Sequence, residues 1–135
     1  MEVVADTTVL IDLFRHRRRP EALEGLRRSL GESVIFLPWI VQAEYARGTY
    51  FQGIGREELE KYFQAYTPLS MTADLIHLYA QTWAEMRQLK LRVDYPDLWV
   101  AVAALLRGTP VIMRNRKHFE MVPGLEVVSY KIPLR

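Results

Sequence analysis

The 135-residue chain contains no cysteine, which excludes disulfide bonds, thiolate metal sites and cysteine nucleophiles. It also lacks an uncharged apolar stretch long enough to cross a bilayer, and no basic region followed by a hydrophobic signal core begins it. Net charge is low as well: at +2 it does not by itself argue for a nucleic-acid partner. We therefore expect a cytoplasmic protein without a membrane contact.

Positive charge is nevertheless concentrated in two places. One segment carries Arg15, Arg17, Arg18 and Arg19, and the other carries Arg107, Arg114, Arg116 and Lys117. Either cluster can bind phosphates, although runs of charge are more often solvated surface. The clusters are therefore secondary evidence about partners.

Short apolar, β-branched runs alternate with segments of helical spacing along the chain. Strands are predicted at residues 3–5, 33–37, 110–113 and 127–128. Helices are predicted after Asp6, from Pro20, over 38–46, over 59–66, over 73–89 and over 96–106. This alternation predicts a three-layer α/β/α sandwich with a mainly parallel central sheet. Without repeats or linkers, residues 1–135 are expected to form a single domain.

Three carboxylates stand alone in apolar segments, namely Asp6, Glu44 and Asp97. Asp6 follows the first predicted strand, Glu44 lies on the helix after the second, and Asp97 is in the first turn of a later helix. Buried carboxylates need partners, and ligands of parallel sheets bind beyond the carboxyl ends of the strands. We expect the three to form a hard-oxygen site for Mg²⁺ or Mn²⁺, with Thr8 orienting a carboxylate or a ligand.

Each acid also has an ordinary structural interpretation. Asp6 and Asp94 can cap helices, and Asp97 can favour the positive end of a helix dipole. Glu44 can pair with Arg47 or another arginine. Capping does not explain Glu44, which is predicted to lie inside its helix, and the isolation of all three acids favours a shared site.

The segments around these acids resemble the PIN-domain ribonucleases, specifically the VapC-like toxins of toxin–antitoxin pairs. The matching segments are ADTTVLIDLF, IVQAEYARG and DYPDLWVAVAALLRGTPVIMRNRKHFEMVPGLEVVSY. Their order and spacing span nearly the whole chain. The last is the most specific, because an aspartate precedes an apolar alanine-rich helix, a strand, and then Arg-Asn-x-x-His-Phe and Pro-Gly-Leu.

The resemblance implies a PIN-like fold and a Mg²⁺-dependent endoribonuclease, with Mn²⁺ as a substitute metal. Asp6, Glu44 and Asp97 would then hold or organise the metal, which activates water for in-line attack on a phosphodiester. The resemblance further implies an RNA substrate, a homodimer and a VapB-like antitoxin that blocks the active groove. RNA phosphates would be contacted by Arg114, Arg116 or Lys117.

The chain departs from the family pattern after the predicted strand at 110–113, where many relatives carry a fourth acid. Asn115 offers only a carbonyl oxygen there, and His118 stands where some relatives have aspartate. Asp94 or Asp12 can compensate, and one metal is expected rather than two. The three histidines show no metal-ligand spacing, so surface or packing roles are expected for them.

The missing acid motivates a competing hypothesis, a non-catalytic PIN-like module that binds RNA or a protein. A third hypothesis makes Asp6 the phosphoacceptor of a receiver-like fold. Receiver domains place that aspartate later in the chain and follow it with a lysine, so this hypothesis is disfavoured.

Overall fold

The computed structural model describes residues 1–133, within which five strands form one sheet. The strands are β1 (Glu2–Ala5), β2 (Val34–Pro38), β3 (Thr67–Leu69), β4 (Val111–Met113) and β5 (Val127–Ser129). The helices are α1 (Thr7–Arg15), α2 (Glu24–Leu30), α3 (Trp39–Phe51), α4 (Arg56–Phe63), α5 (Ala73–Gln88) and α6 (Tyr95–Arg107). Short 3₁₀ turns occupy Pro20–Leu23 and Arg116–His118.

The strand order is β3-β2-β1-β4-β5, and each neighbouring pair is parallel. The chain steps from β1 outward to β3 and then crosses back to place β4 on the other side of β1. A reversal of this kind leaves a crevice at the carboxyl ends of the two strands. Ala5 pairs with Ile112, and the amide of Asp6 donates to the Ile112 carbonyl at 3.1 Å. The crevice therefore opens at Asp6.

Helix α6 is the central packing element. Its residues from Leu98 to Ala104 are all buried, as expected for a helix that is apolar on every side. It contacts β1, β2 and β4 as well as α3 and α5. Trp99 stacks on Tyr79 with ring centroids 3.9 Å apart and meets Trp39 edge-on at 5.3 Å. This packing holds the start of α6, with Asp97, at the carboxyl edge of the sheet.

The predicted α/β/α sandwich with a parallel sheet is confirmed, but two element predictions are wrong. Helix α3 continues through Gly48 to Phe51, because one glycine costs a helix only about 1 kcal/mol. Residues 67–69, where no strand was predicted, form β3 at the sheet edge, where a proline without an N–H is tolerated. Within residues 1–133, no helix has the length and apolar character needed to span a membrane.

Replacing a glycine within α3 and replacing the glycine after α6 should change the free energy of unfolding in opposite directions. Gly108 follows α6 with φ +71°, whereas Gly48 has no positive φ and a Cβ added there would meet nothing within 4 Å. We expect Gly108→Ala to lower the free energy of unfolding by about 1–2 kcal/mol, because Cβ is strained in the left-handed region. Gly48→Ala should raise it by up to about 1 kcal/mol. Urea unfolding measures both, and shifts of the same sign would contradict the backbone assignment.

Candidate functional site

The three predicted acids lie on elements that meet at the crevice between β1 and β4. Asp6 follows β1 at the N-cap position of α1, Glu44 lies in the second turn of α3, and Asp97 in the first turn of α6. Helix α1 contacts α3, and α3 contacts α6. The fold thus brings acids that are distant in sequence into the same region.

The Asp6 carboxylate is held by its neighbour Thr8. Thr8 Oγ1 donates to Asp6 Oδ2 at 2.8 Å, while the Asp6 side chain makes no capping hydrogen bond to the helix. Burial raises the pKa of Asp6, the Thr8 hydrogen bond partly opposes this, and the charge of Glu44 adds to the rise. Asp6 is therefore a desolvated acid whose charged form gains from a nearby cation.

Glu44 is held in the same way by the adjacent threonine. Thr7 Oγ1 donates to Glu44 Oε1 at 2.7 Å. Among the described residues its hydrogen-bond partner is this hydroxyl, not the Arg47 guanidinium considered from the sequence. Two consecutive threonines at the start of α1 therefore orient two acids from different elements. Sequence reasoning identified Thr8 but missed Thr7, although both hydroxyls follow the first strand.

Asp97 has a partner that sequence reasoning did not assign to it. His118 Nδ1 lies 3.5 Å from Asp97 Oδ2. Burial and then the charge of Asp6 raise the pKa of Asp97 to about 6; His118 lowers it, while Asp94 and Glu44 add to the rise. Asp94 itself occupies the N-cap of α6 without a side-chain capping bond. The one available signal for His118 was its position, where some relatives carry aspartate.

The segment after β4 is organised by its own side chains. Asn115 Oδ1 accepts a hydrogen bond from the Lys117 amide at 3.2 Å and so caps the 3₁₀ turn, and Asn115 Nδ2 lies 3.3 Å from His118 Nε2. Arg116 pairs with Glu120 at 3.1 Å on the surface. The Asn115 carbonyl is thus engaged with the backbone, which argues against its substituting for a fourth acid.

Asp12 is a buried carboxylate, which the sequence analysis considered only as a replacement for the missing fourth acid. It is 0 % exposed, the Tyr130 hydroxyl donates to its Oδ2 at 2.6 Å, and Arg114 Nη1 lies 3.6 Å from its Oδ1. The Arg114 side chain remains 44 % exposed. Asp12 is therefore committed to these partners, and it anchors Arg114 just beyond β4, beside the crevice.

The carboxylate oxygens of Asp6, Glu44 and Asp97 are suitable ligands for a small hard cation, although the three side chains do not surround a single point. Within residues 1–133 no three Asp, Glu or His side chains are grouped as a metal-binding cluster. Mg²⁺ usually keeps several waters and needs only one or two carboxylates. Asp6 and Asp97 fit that requirement, since Asp6 is the charged group that most raises the pKa of Asp97. The charge of Glu44 raises the pKa of Asp97 less than the charge of Asp6 does.

The fold and the crevice define an α/β/α domain with carboxylates at the switch point of a parallel sheet. The chain belongs to the PIN domain family, whose model matches residues 3–125. It is similar to ribonuclease VapC1 of Methanocaldococcus jannaschii, with 25% identity over 128 residues, 93% of this chain and 86% of that protein.

Two solved structures show the same fold. One is VapBC2 from Rickettsia felis bound to a DNA fragment from its promoter, with TM-score 0.78 and 18% identity. The other is a toxin–antitoxin complex from Klebsiella pneumoniae, with TM-score 0.71 and 26% identity. Each similarity covers 97% of this chain and 100% of the other. The resemblance to PIN domains is therefore confirmed over nearly the whole chain.

The raised pKa of Asp97 predicts a pH dependence of stability in the metal-free protein. Folding raises this pKa from 3.8 to about 6, so its contribution to stability is complete below about pH 4 and is lost as pH rises through about 6. The Asp97→Asn variant has no titrating carboxyl at this position, so it does not undergo this loss of stability as pH rises. We expect the variant to be about 1–3 kcal/mol more stable than the unsubstituted protein near pH 8, and equal to it near pH 4.

Urea unfolding in the presence of a chelator, repeated across this pH range, measures the difference. Asp74→Asn, at the exposed start of α5, is the matched acid-to-amide control. If the difference in stability between Asp97→Asn and the unsubstituted protein does not change with pH, then burial and Asp6 do not raise the pKa of Asp97.

Proposed function

We propose that the protein is a metal-dependent endoribonuclease that hydrolyses RNA phosphodiester bonds. The observation that carries the proposal is the position of Asp97 in a crevice where burial and Asp6 together disfavour its charge. A divalent cation bound at the crevice would relieve this repulsion, so metal binding would offset the cost of placing the acids in the same region. The ribonuclease name of the relative from Methanocaldococcus jannaschii supports RNA as the substrate.

Asp6, Asp97 and Glu44 would hold or organise Mg²⁺ or Mn²⁺ at the crevice. When bound, the metal supplies an activated water and neutralises charge on the phosphate. Thr8 and Thr7 fix the orientation of Asp6 and Glu44, so that these carboxylates need little reorganisation.

RNA binding would use the positive side chains that follow β4. Arg114, anchored on the buried Asp12 and still exposed to solvent, is suited to contact a phosphate beside the crevice. Arg116 and Lys117 add exposed positive charge. Of the three, only Arg114 is fixed by a buried partner, so it is the strongest candidate.

We also propose that the protein is the toxin of a toxin–antitoxin pair, forms a homodimer and is blocked by a VapB-like antitoxin. The toxin–antitoxin complex from Klebsiella pneumoniae has a matching fold, and this similarity supports the proposed role as a toxin. Ile76 and Trp83 on α5 are each 48% exposed and provide apolar surface suited to a subunit contact.

One observation favours the non-catalytic alternative. Asn115 replaces the fourth acid, and its carbonyl is engaged by the Lys117 amide. On that alternative the protein binds RNA or a protein partner without cutting. Cleavage assays separate the two functions directly.

The test is RNA cleavage by the purified protein, free of any antitoxin, with Mg²⁺ and with a chelator. We expect cleavage only with metal. Asp97→Asn should reduce it by more than the ~10–100-fold typical of losing an outer partner of a metal ligand. Asp74→Asn should match the unsubstituted protein. A folded protein that binds RNA but leaves it intact with metal present would support the non-catalytic module instead.

A further inference from the structure

A buried polar network lies beside the crevice, separate from the three acids. Its centre is Asp12 of α1, which is 0 % exposed. The Tyr130 hydroxyl donates to Asp12 Oδ2 at 2.6 Å, a length typical of a hydrogen bond to a charged oxygen. Arg114 Nη1 lies 3.6 Å from Asp12 Oδ1, which accepts no hydrogen bond from the described residues. We call these side chains the Asp12 network.

The register of the sheet brings Arg114 and Tyr130 together. Met113 of β4 pairs with Ser129 of β5, and Arg114 and Tyr130 are the next residues along the two strands. Tyr130 is buried. Burial, followed by the hydrogen bond to Asp12, raises the pKa of the Tyr130 hydroxyl. The hydroxyl therefore keeps its proton at neutral pH and remains a donor to Asp12.

Arg114 belongs to a segment that borders the crevice. Before it in the chain, the Ile112 carbonyl accepts the hydrogen bond from the Asp6 amide. Further along the same segment, His118 Nδ1 lies 3.5 Å from Asp97 Oδ2. The backbone of Arg114 is therefore placed between the contact to one acid and the contact to the other.

The exposure of Arg114 is not explained by neutralisation of Asp12 alone. Buried ion pairs often add little stability compared with apolar residues of similar size, so packing gives no reason for this one. Asp12 is wholly buried, whereas the Arg114 side chain is 44 % exposed. The guanidinium has several N–H donors in a planar fork. Those that do not face Asp12 are available to an anion from solution.

We propose that Asp12 and Tyr130 are positioning residues, which hold Arg114 so that its guanidinium binds the reacting phosphate of the RNA at the crevice. The inference rests on the proposed ribonuclease function. In hydrolysis the oxygen of a water molecule bonds to phosphorus while the bond from phosphorus to a ribose oxygen breaks. The water gives up a proton and the ribose oxygen gains one. Negative charge grows on the non-bridging oxygens during this exchange, and a fixed guanidinium stabilises it without reorganisation.

Arg114 is tested with substitutions that separate its charge from its shape. Arg114→Gln removes the charge and should lower kcat by about 10²-fold or more, as for loss of a donor to a developing oxyanion, with a smaller change in KM. Arg114→Lys keeps the charge but loses the planar fork, so it should restore only part of the activity. Arg56→Gln, which breaks an exposed ion pair with Glu60 on α4, is the control and should leave both constants unchanged.

The positioning residues are tested with Tyr130→Phe, which removes the hydroxyl and keeps the ring. This variant should lower kcat about tenfold, because misplacement of a reacting group by about 1 Å can cost about 10²-fold. In a chain that already carries Arg114→Gln, Tyr130→Phe should change kcat by less than about twofold, because its effect passes through Arg114. Asp12→Asn should behave in the same way in both backgrounds.

Two controls exclude a general loss of structure. Urea unfolding establishes that each variant is folded under the assay conditions. Tyr66→Phe removes a hydroxyl from a partly buried tyrosine that packs against Tyr62, away from the Asp12 network, and should leave kcat unchanged. If Tyr130→Phe and Asp12→Asn lower kcat by the same factor with and without Arg114, they act through the fold alone and the inference is wrong.

The remaining outcomes separate this inference from the proposed function. If RNA is cleaved and Arg114→Gln matches the unsubstituted protein, Arg114 does not bind the reacting phosphate. If no RNA is cleaved, the proposed function fails and the binding of a labelled single strand in the presence of a chelator decides. Arg114→Gln should then reduce the slope of log affinity against log salt by about 0.7, the value for one phosphate contact. Tyr130→Phe should weaken binding only when Arg114 is present, and an unchanged slope or equal weakening in both backgrounds overturns the inference.

Discussion

The pairing of β1 with β4 is the constraint on which the candidate site depends. Because β1 lies between β2 and β4, the chain direction across the sheet reverses beside it, and the crevice opens where β1 ends. The hydrogen bond from the Asp6 amide to the Ile112 carbonyl continues the pairing one residue beyond the strand. Asp6 is therefore fixed by the sheet itself, and the other acids are brought to it by α3 and α6.

The acids oppose the stability that the rest of the fold provides. The buried helix α6 carries Asp97 in its first turn, at the edge of the sheet where Asp6 follows β1, and the pKa values of both carboxyls are raised, chiefly by burial. The Thr8 hydroxyl lowers the pKa of Asp6 and the charge of His118 lowers that of Asp97, so part of this cost is compensated. A divalent cation would compensate more, so a function that uses a metal explains an arrangement that packing alone does not favour.

Local patterns predicted most of the helices and strands and the positions of the three acids. Apolar periodicity and a carboxylate at a strand end are visible within a few residues of sequence. β3 was missed because Pro68 signals a break unless the strand is known to lie at an edge. The partners Thr7 and His118, and the contact of Tyr130 with Asp12 across 118 residues, depend on tertiary pairing that no local pattern contains.

The central claim is that Asp6 and Asp97 form the metal-binding pair of the crevice. The most direct test is the anomalous signal of a crystal soaked in Mn²⁺. The account predicts one peak within coordinating distance of both carboxylates. A crystal with no peak there, in which Asp6 still accepts its hydrogen bond from Thr8 and Asp97 still faces His118, would contradict it.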